Sequence, residues 1–336
     1  MLRIFITISI LVSSAASFAN EEVNLYSARQ EALIKPLLDA FTSDTGIQVN
    51  IISSNADALL KRIQSEGINS PADVLLTTDA GRLWRAKEAQ IFDPIDSPLL
   101  VAMIPPQYRD PDSQWFGLSV RARPIMLTNN STIERPVSYE DLSKPEYQGQ
   151  ICIRSSNNIY NQSLVASMIA TLGEEQTEAW VTGLVENLAR NPQGGDRDQI
   201  RAAAAGQCQI AVANTYYLGQ MLADQNNPSD QQAGQQVTVI WPNQTGRGTH
   251  VNVSGAGVIK TAPNKENAIK LLEYLASDTA QQIYADVNYE YPVKQDIKVN
   301  SVLGEWGEFK AENIQLNHLG KYNAAAVRLM DRAGWK

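Results

Sequence analysis

The chain has 336 residues, enough for two domains at roughly 100–200 residues each, and its 43% hydrophobic content excludes a disordered chain. Its 36 Asp and Glu outnumber 28 Lys and Arg, for a formal net charge of −8, and no basic cluster supplies the footprint that nucleic acid or an anionic membrane surface requires. Two His are too few for a multi-histidine zinc centre.

Met1-Leu2-Arg3 gives a positive start, Ile4 to Val12 a short apolar run, and Ser13 to Ala19 a small-residue stretch with Ser17 and Ala19 at cleavage spacing. A secretory signal over residues 1–19 is predicted. The apolar run is well short of the roughly 20 residues needed to span a bilayer, and no Cys follows the cleavage point to carry a lipid. The expected mature chain is therefore soluble and unanchored in a Gram-negative periplasm. Cys152 and Cys208 are its two thiols. In an oxidising compartment they predict a single disulfide, with two buried free thiols as the alternative.

Val23 to Ser27 reads as a strand, and Gln30 to Ser43 as an amphipathic helix with Leu33, Leu37, Ala40 and Phe41 at helical spacing. A second strand is predicted at Ile47 to Ile52, a helix at Ala56 to Ser65, and a buried-type strand at Ala72 to Thr77. This alternation implies a parallel sheet with right-handed crossovers, whose ligand sites lie beyond the carboxyl ends of the strands, near Tyr26 to Gln30 and Thr77 to Asp79. A second β/α region runs from Ile125 to Pro242, with strands at Gln150 to Arg154 and Gln209 to Ala213 and helices at Ser163 to Thr171 and Glu174 to Leu188. Gly117 to Ile125 and Thr249 to Gly257 read as extended segments joining the two regions as a hinge.

Asn214-Thr215-Tyr216-Tyr217 follows an apolar strand and puts two phenols at a strand end, while Tyr160 lies in a polar stretch, Arg154 to Ser163, read as a loop. Three converging phenols would suit Fe(III). A phenolate is a hard anionic oxygen donor, and three of them balance one ferric charge. The remaining positions would fall to a carboxylate, water or small anion offset by an arginine, with Arg121 and Arg123 on the hinge as sources. Adjacent tyrosines also fit one buried and one exposed packing aromatic, and paired arginines also fit ordinary ion pairs. Enzyme signatures are thin. His250 and Ser254 lack a G-x-S-x-G elbow, and Ser254 to Lys260 holds a Gly-x-Gly with Lys260 in place of the third Gly.

Taken together, Val23 to Arg29, Pro71 to Val74, Asp79 to Trp84, Leu118 to Pro124, Arg154 to Ser163, Pro192 to Asp196, Asn214 to Tyr217 and Gly248 to Gly257 resemble the periplasmic ferric-iron-binding proteins of bacterial ABC transporters, in the branch shared with cyanobacterial iron-deficiency-induced proteins. The resemblance implies an α/β, type II periplasmic-binding-protein fold: two lobes, each a mixed sheet flanked by helices, joined by a two-strand hinge. The implied lobes are residues 20–121 with 250–298, and 122–249 with 299–336. It implies Fe(III) as cargo on Tyr160, Tyr216 and Tyr217, with Arg121 or Arg123 facing the iron or a synergistic anion such as carbonate. The partner would be an inner-membrane ABC permease, the carrier a monomer, and the function transport rather than catalysis. Many relatives have His-Tyr where this chain has Gln30-Glu31. Glu31 and, less directly, Tyr26 are thus further ligand candidates, while a carboxylate at Glu31 also suits a helix first turn. The rival readings are a binding protein for a small anion or organic solute held by Arg121, Ser155, Ser156 and Asn214, and an enzyme using a tyrosine as acid or base.

Overall fold

The computed structural model describes residues 21–294 and 296–336, so the predicted signal over 1–19 lies outside the described residues. In chain order, β1 Glu22–Ser27, α1 Glu31–Thr45, β2 Gln48–Ser53, α2 Ala56–Glu66, β3 Val74–Thr78, α3 Ala80–Glu88 and α4 Pro98–Met103 lead to β4, Phe116–Ala122. Then come β5 Ile125–Thr128, β6 Ile151–Cys152, α5 Ile159–Leu172, α6 Glu174–Glu186, α7 Asp196–Ala204, β7 Ile210–Val212, α8 Thr215–Ala223, α9 Pro228–Gln235 and β8 Val237–Ile240. The chain returns through β9 Val251–Val258, α10 Lys265–Leu275 and α11 Asp278–Asn288, and ends with α12 Ser301–Glu305, α13 Asn317–Lys321 and α14 Asn323–Arg332. No helix among the described residues is long and apolar enough to cross a membrane.

The first sheet has the order β2-β1-β3-β9-β4 and the second β6-β7-β5-β8. The predicted parallel pairing holds for β2, β1 and β3, whereas β9 runs antiparallel to both β3 and β4. In the second sheet β6 pairs parallel with β7 while β5 runs antiparallel to β7 and β8, so both sheets are mixed. Helices cover both faces, which is why β4 and β9 are buried at every residue. α1 buries Ile34, Leu37, Leu38 and Phe41 and stops at Gly46, whose φ of 78° is the left-handed cap that glycine adopts freely. Leu33, expected on that apolar face, instead lines a cleft beyond the carboxyl end of β1.

Two connections pass between the sheets. β4 runs into β5 through Arg123 and Pro124, and β8 returns to β9 through residues 241–250. A third segment crosses beside them, where Thr249 N donates to the Lys310 carbonyl at 2.9 Å and Glu312 N to the Thr249 carbonyl at 2.8 Å. Gly248 is required at this crossing. Its φ is 96°, and a Cβ would sit 2.7 Å from the Lys310 and Ala311 backbone. Beyond the crossing the C-terminal segment serves both cores: Leu316 and Leu319 join the first, while Ala326, Leu329 and Met330 join the second.

The expected Cys152–Cys208 disulfide is formed, tying the end of β6 to the chain entering β7. The predicted strand from Gln150 to Arg154 shortens to Ile151 and Cys152. Asn161 Nδ2 takes the Arg154 and Ser155 carbonyls at 2.8 and 3.1 Å, so that backbone leaves the ladder to build the following loop.

Candidate functional site

The carboxyl ends of β1, β2 and β3 face the amino ends of α5, α7 and α8 across a cleft of about 240 Å³. Ala28 to Gln30, Asn55 and Thr78 line one wall, and Tyr160, Arg197, Tyr216, Tyr217 and Gln220 the other. Three helix amino termini thus aim their partial positive charge at one space, a field that favours anions.

Tyr160 does not lie in a loop as expected but in the first turn of α5. Asn158 caps that helix by accepting from Tyr160 N at 3.1 Å, so it starts four residues earlier than the apolar spacing indicates. Tyr216 and Tyr217 occupy the first turn of α8. Their rings lie 4.1 Å apart at 34°, and the Tyr216 and Tyr160 oxygens are 3.4 Å from each other. Burial opposes ionisation of Tyr160, but the Arg121 charge and hydrogen bonds from Tyr216 and Thr78 outweigh it and lower its pKa. Burial, together with the neighbouring phenols, raises Tyr216 well above the ordinary value and pushes Tyr217 up to about 12. Of the three phenols Tyr160 therefore gives up its proton most easily, while Tyr216 and Tyr217 yield theirs to a strongly polarising cation.

The two hinge arginines separate. Arg121, buried on β4, donates from Nη2 to the Val253 carbonyl at 2.8 Å and lies 5.4 and 5.9 Å from the ring centres of Tyr160 and Tyr216. Arg123, expected as an alternative anion ligand, does not line the cleft. β4 ends at Ala122, and the Arg123 guanidinium is consumed inside the second unit by Asp196 Oδ1 at 2.8 Å, Asn214 Oδ1 at 2.9 Å and Asn161 Oδ1 at 2.5 Å. It holds the residues beside Tyr160 and Tyr216. Because its oxygen is taken in this way, Asn214 makes no side-chain cap on α8.

Two lesser candidates also fall outside the cleft. Glu31 is exposed in the first turn of α1 and does not line the cavity, which supports its helix-dipole role. Tyr26 is buried in the first core, where its hydroxyl donates to the Glu66 carboxylate at 3.0 and 3.1 Å and Arg62 stacks 5.1 Å from its ring. Strand alternation turns it toward α2 rather than the cleft. Ser155, Ser156 and Asn214, expected for a small solute, do not line the cavity either.

Sequence reasoning missed Arg82, Arg197 and the Arg29–Glu290 pair. Arg197 Nη2 donates to Gln220 Oε1 at 2.5 Å and the guanidinium lies 5.7 Å from the Tyr217 ring centre. Arg29 Nη2 lies 2.9 Å from Glu290 Oε2 and is neutralised there. Among the described residues Arg82, Arg121 and Arg197 have no carboxylate within 4 Å. Their nearest signal was sequence position, since Arg82 and Arg197 sit in or beside the landmark segments at 79–84 and 192–196. Among the described residues no three His, Cys, Asp or Glu side chains gather as a metal site. A wider depression of about 460 Å³ beside Arg190 and Arg201 contains no phenol.

Residues 69–311 match the family model for bacterial extracellular solute-binding proteins. Iron uptake protein A1 of Synechocystis sp. is 49% identical over 94% of this chain and 88% of its own length. The structure of Trichodesmium IdiA (FutA) in complex with iron and citrate is similar with a TM-score of 0.90 and 50% identity, covering 94% of this chain and all of that one. The apo ferric ion-binding protein A of Pasteurella haemolytica is similar with a TM-score of 0.87 and 45% identity over 94% of this chain and 98% of that one. With the match spanning most of the chain, and with a two-sheet α/β architecture closed around a phenol-lined cleft, the protein belongs to the bacterial extracellular solute-binding protein family.

Proposed function

We propose that the protein captures Fe(III) in the periplasm through Tyr160, Tyr216 and Tyr217 and delivers it, as a monomer, to an ABC-type inner-membrane permease. The observation that carries this function is the convergence of three phenols from two helix amino termini on one cleft beneath Arg121. A hard trication suits phenolate oxygen and offsets the protons held by Tyr216 and Tyr217. The relatives named for iron uptake and ferric binding support the same cargo.

Charge balance argues that the iron enters with an anion. Three phenolates neutralise Fe(III), which leaves Arg82, Arg121 and Arg197 facing the cleft without paired carboxylates. Carbonate or a polycarboxylate would complete both the coordination sphere and this balance. The Trichodesmium relative was solved with iron and citrate together. Capture then draws the two lobes together about the β4–β5 and β8–β9 passages, with residues 309–319 packing on the first lobe and 325–335 on the second rather than 299–336 belonging wholly to the second, since cargo contacts from both walls favour the closed arrangement.

Metal analysis tests the proposal. After exposure to ferric citrate and desalting, iron capture predicts one iron per chain in the mature protein and none in the Tyr216→Phe, Tyr217→Phe variant. Retention of an organic anion without iron would instead favour the solute-binding alternative.

A further inference from the structure

Asp79 follows β3 and caps α3, yet its φ is 86°, in the left-handed region that a non-glycine residue enters only when its surroundings insist. The carboxylate is fully buried. One oxygen accepts from Gly81 N at 2.8 Å and the other from Asn252 Nδ2 on β9 at 2.7 Å. Both also lie within reach of Ser163 Oγ, at 2.9 and 2.8 Å. Ser163 belongs to the other unit. It sits on α5 one turn after Tyr160, on the same helix face, and its neighbour Leu164 is in the second core. Asp79 N and Arg121 Nη2 share the Val253 carbonyl, each at 2.8 Å.

We propose that the Asp79–Ser163 hydrogen bond is a latch that joins the first unit to the helix carrying Tyr160 and sets how readily the cleft opens. The strained backbone of Asp79 lets one carboxylate cap its own helix and reach Ser163 on α5 at the same time. Ser163 is its partner from α5, and when α5 moves away that partner is lost. The latch thus biases the lobes toward closure without touching cargo. Its release assay rests on the iron-binding proposal, but its scattering assay does not.

The test compares the wild type with Ser163→Ala, Asp79→Asn and the double variant. Asparagine keeps one oxygen for the Gly81 cap and tolerates positive φ, although its amide nitrogen then faces the Asn252 amide nitrogen, and Ser163→Ala removes one oxygen; thermal melts check that both variants fold. Loaded with ferric citrate, Ser163→Ala should show an unchanged tyrosinate band and one iron per chain but release iron to a chelator roughly tenfold faster, the worth of one charge-assisted buried hydrogen bond. The double variant should release no faster than the quicker single variant, because the two residues form one contact. Without metal, small-angle scattering should give Ser163→Ala a larger radius of gyration than the wild type. Unchanged release with a lowered melting point, multiplicative effects in the double variant, or equal radii would each overturn the latch. If the wild type itself forms no band, iron binding fails, and the latch stands or falls on the scattering comparison.

Discussion

Arg121 lies on β4 and Arg123 just past its end, where the chain leaves one sheet for the other, and the break at Ala122 sends them to different tasks. Arg121 lies over Tyr160 and Tyr216 in the cleft, while Arg123 is locked to Asp196, Asn161 and Asn214 within the second unit. One arginine faces the cleft and the other holds the residues beside Tyr160 and Tyr216.

Substitution should separate these tasks. Arg123→Leu leaves Asp196 with one cation, Arg154 at 2.8 Å, and the Asn214 N–H at 3.0 Å, and should destabilise the fold by about 3–5 kcal/mol, as breaking a buried ion pair does. Arg121→Leu should change stability far less but weaken iron binding and shift Tyr160 toward the protonated form. Urea denaturation and iron titration of both variants check this, and equal stability losses would contradict it.

Iron loading should be steeply pH-dependent. Tyr217 is pushed up to about 12 and Tyr216 is raised well above the ordinary phenol value by burial, so binding displaces protons at neutral pH. Apparent affinity should fall roughly tenfold per displaced proton for each pH unit on acidification. Potentiometric titration of proton release alongside ferric citrate addition measures this directly, with more than one proton per iron expected.

Acid stability should follow Glu312 at the segment crossing. Burial opposes its ionisation, but His250 and Arg247 outweigh it and hold the carboxyl down at about 2. Because the folded value lies below the unfolded one, the stabilisation is complete above about pH 5 and fades as pH falls toward 2; at neutral pH it is on the order of 3 kcal/mol. The stability gap between wild type and Glu312→Gln should therefore close across that window in urea titrations.

Reduction of Cys152–Cys208 should lower stability, since the bond closes a loop of 56 residues in sequence and the chain-entropy contribution is roughly 4 kcal/mol. The melting point should drop in dithiothreitol and not drop in a Cys152→Ser, Cys208→Ser variant, which starts from the lower value.

Much of this was legible from residue pattern. β1, α1, β2, α2 and β3 announce themselves through period-2 and helical apolar spacing, and the strand-end rule brings Ala28 to Gln30 and Thr78 to the cleft. Helix starts were harder to read. The polar run Ser155 to Gln162 conceals a cap at Asn158, so Tyr160 reads as loop while it sits in α5. Long-range pairing was opaque. Nothing in the local pattern says that Asp196 and Asn214 converge on Arg123, that Glu66 takes the Tyr26 hydroxyl, or that Asp79 reaches Ser163, because each pair is joined only by the closed topology.

The most direct measurement is the visible spectrum of the mature protein, stripped with chelator and titrated with ferric citrate beside the Tyr160→Phe, Tyr216→Phe, Tyr217→Phe variant. A broad tyrosinate-to-iron charge-transfer band that saturates at one iron per chain, and is absent from the variant, is the predicted result. A wild type that stays colourless would contradict iron capture by these phenols, and a band surviving in the variant would place the iron on other residues.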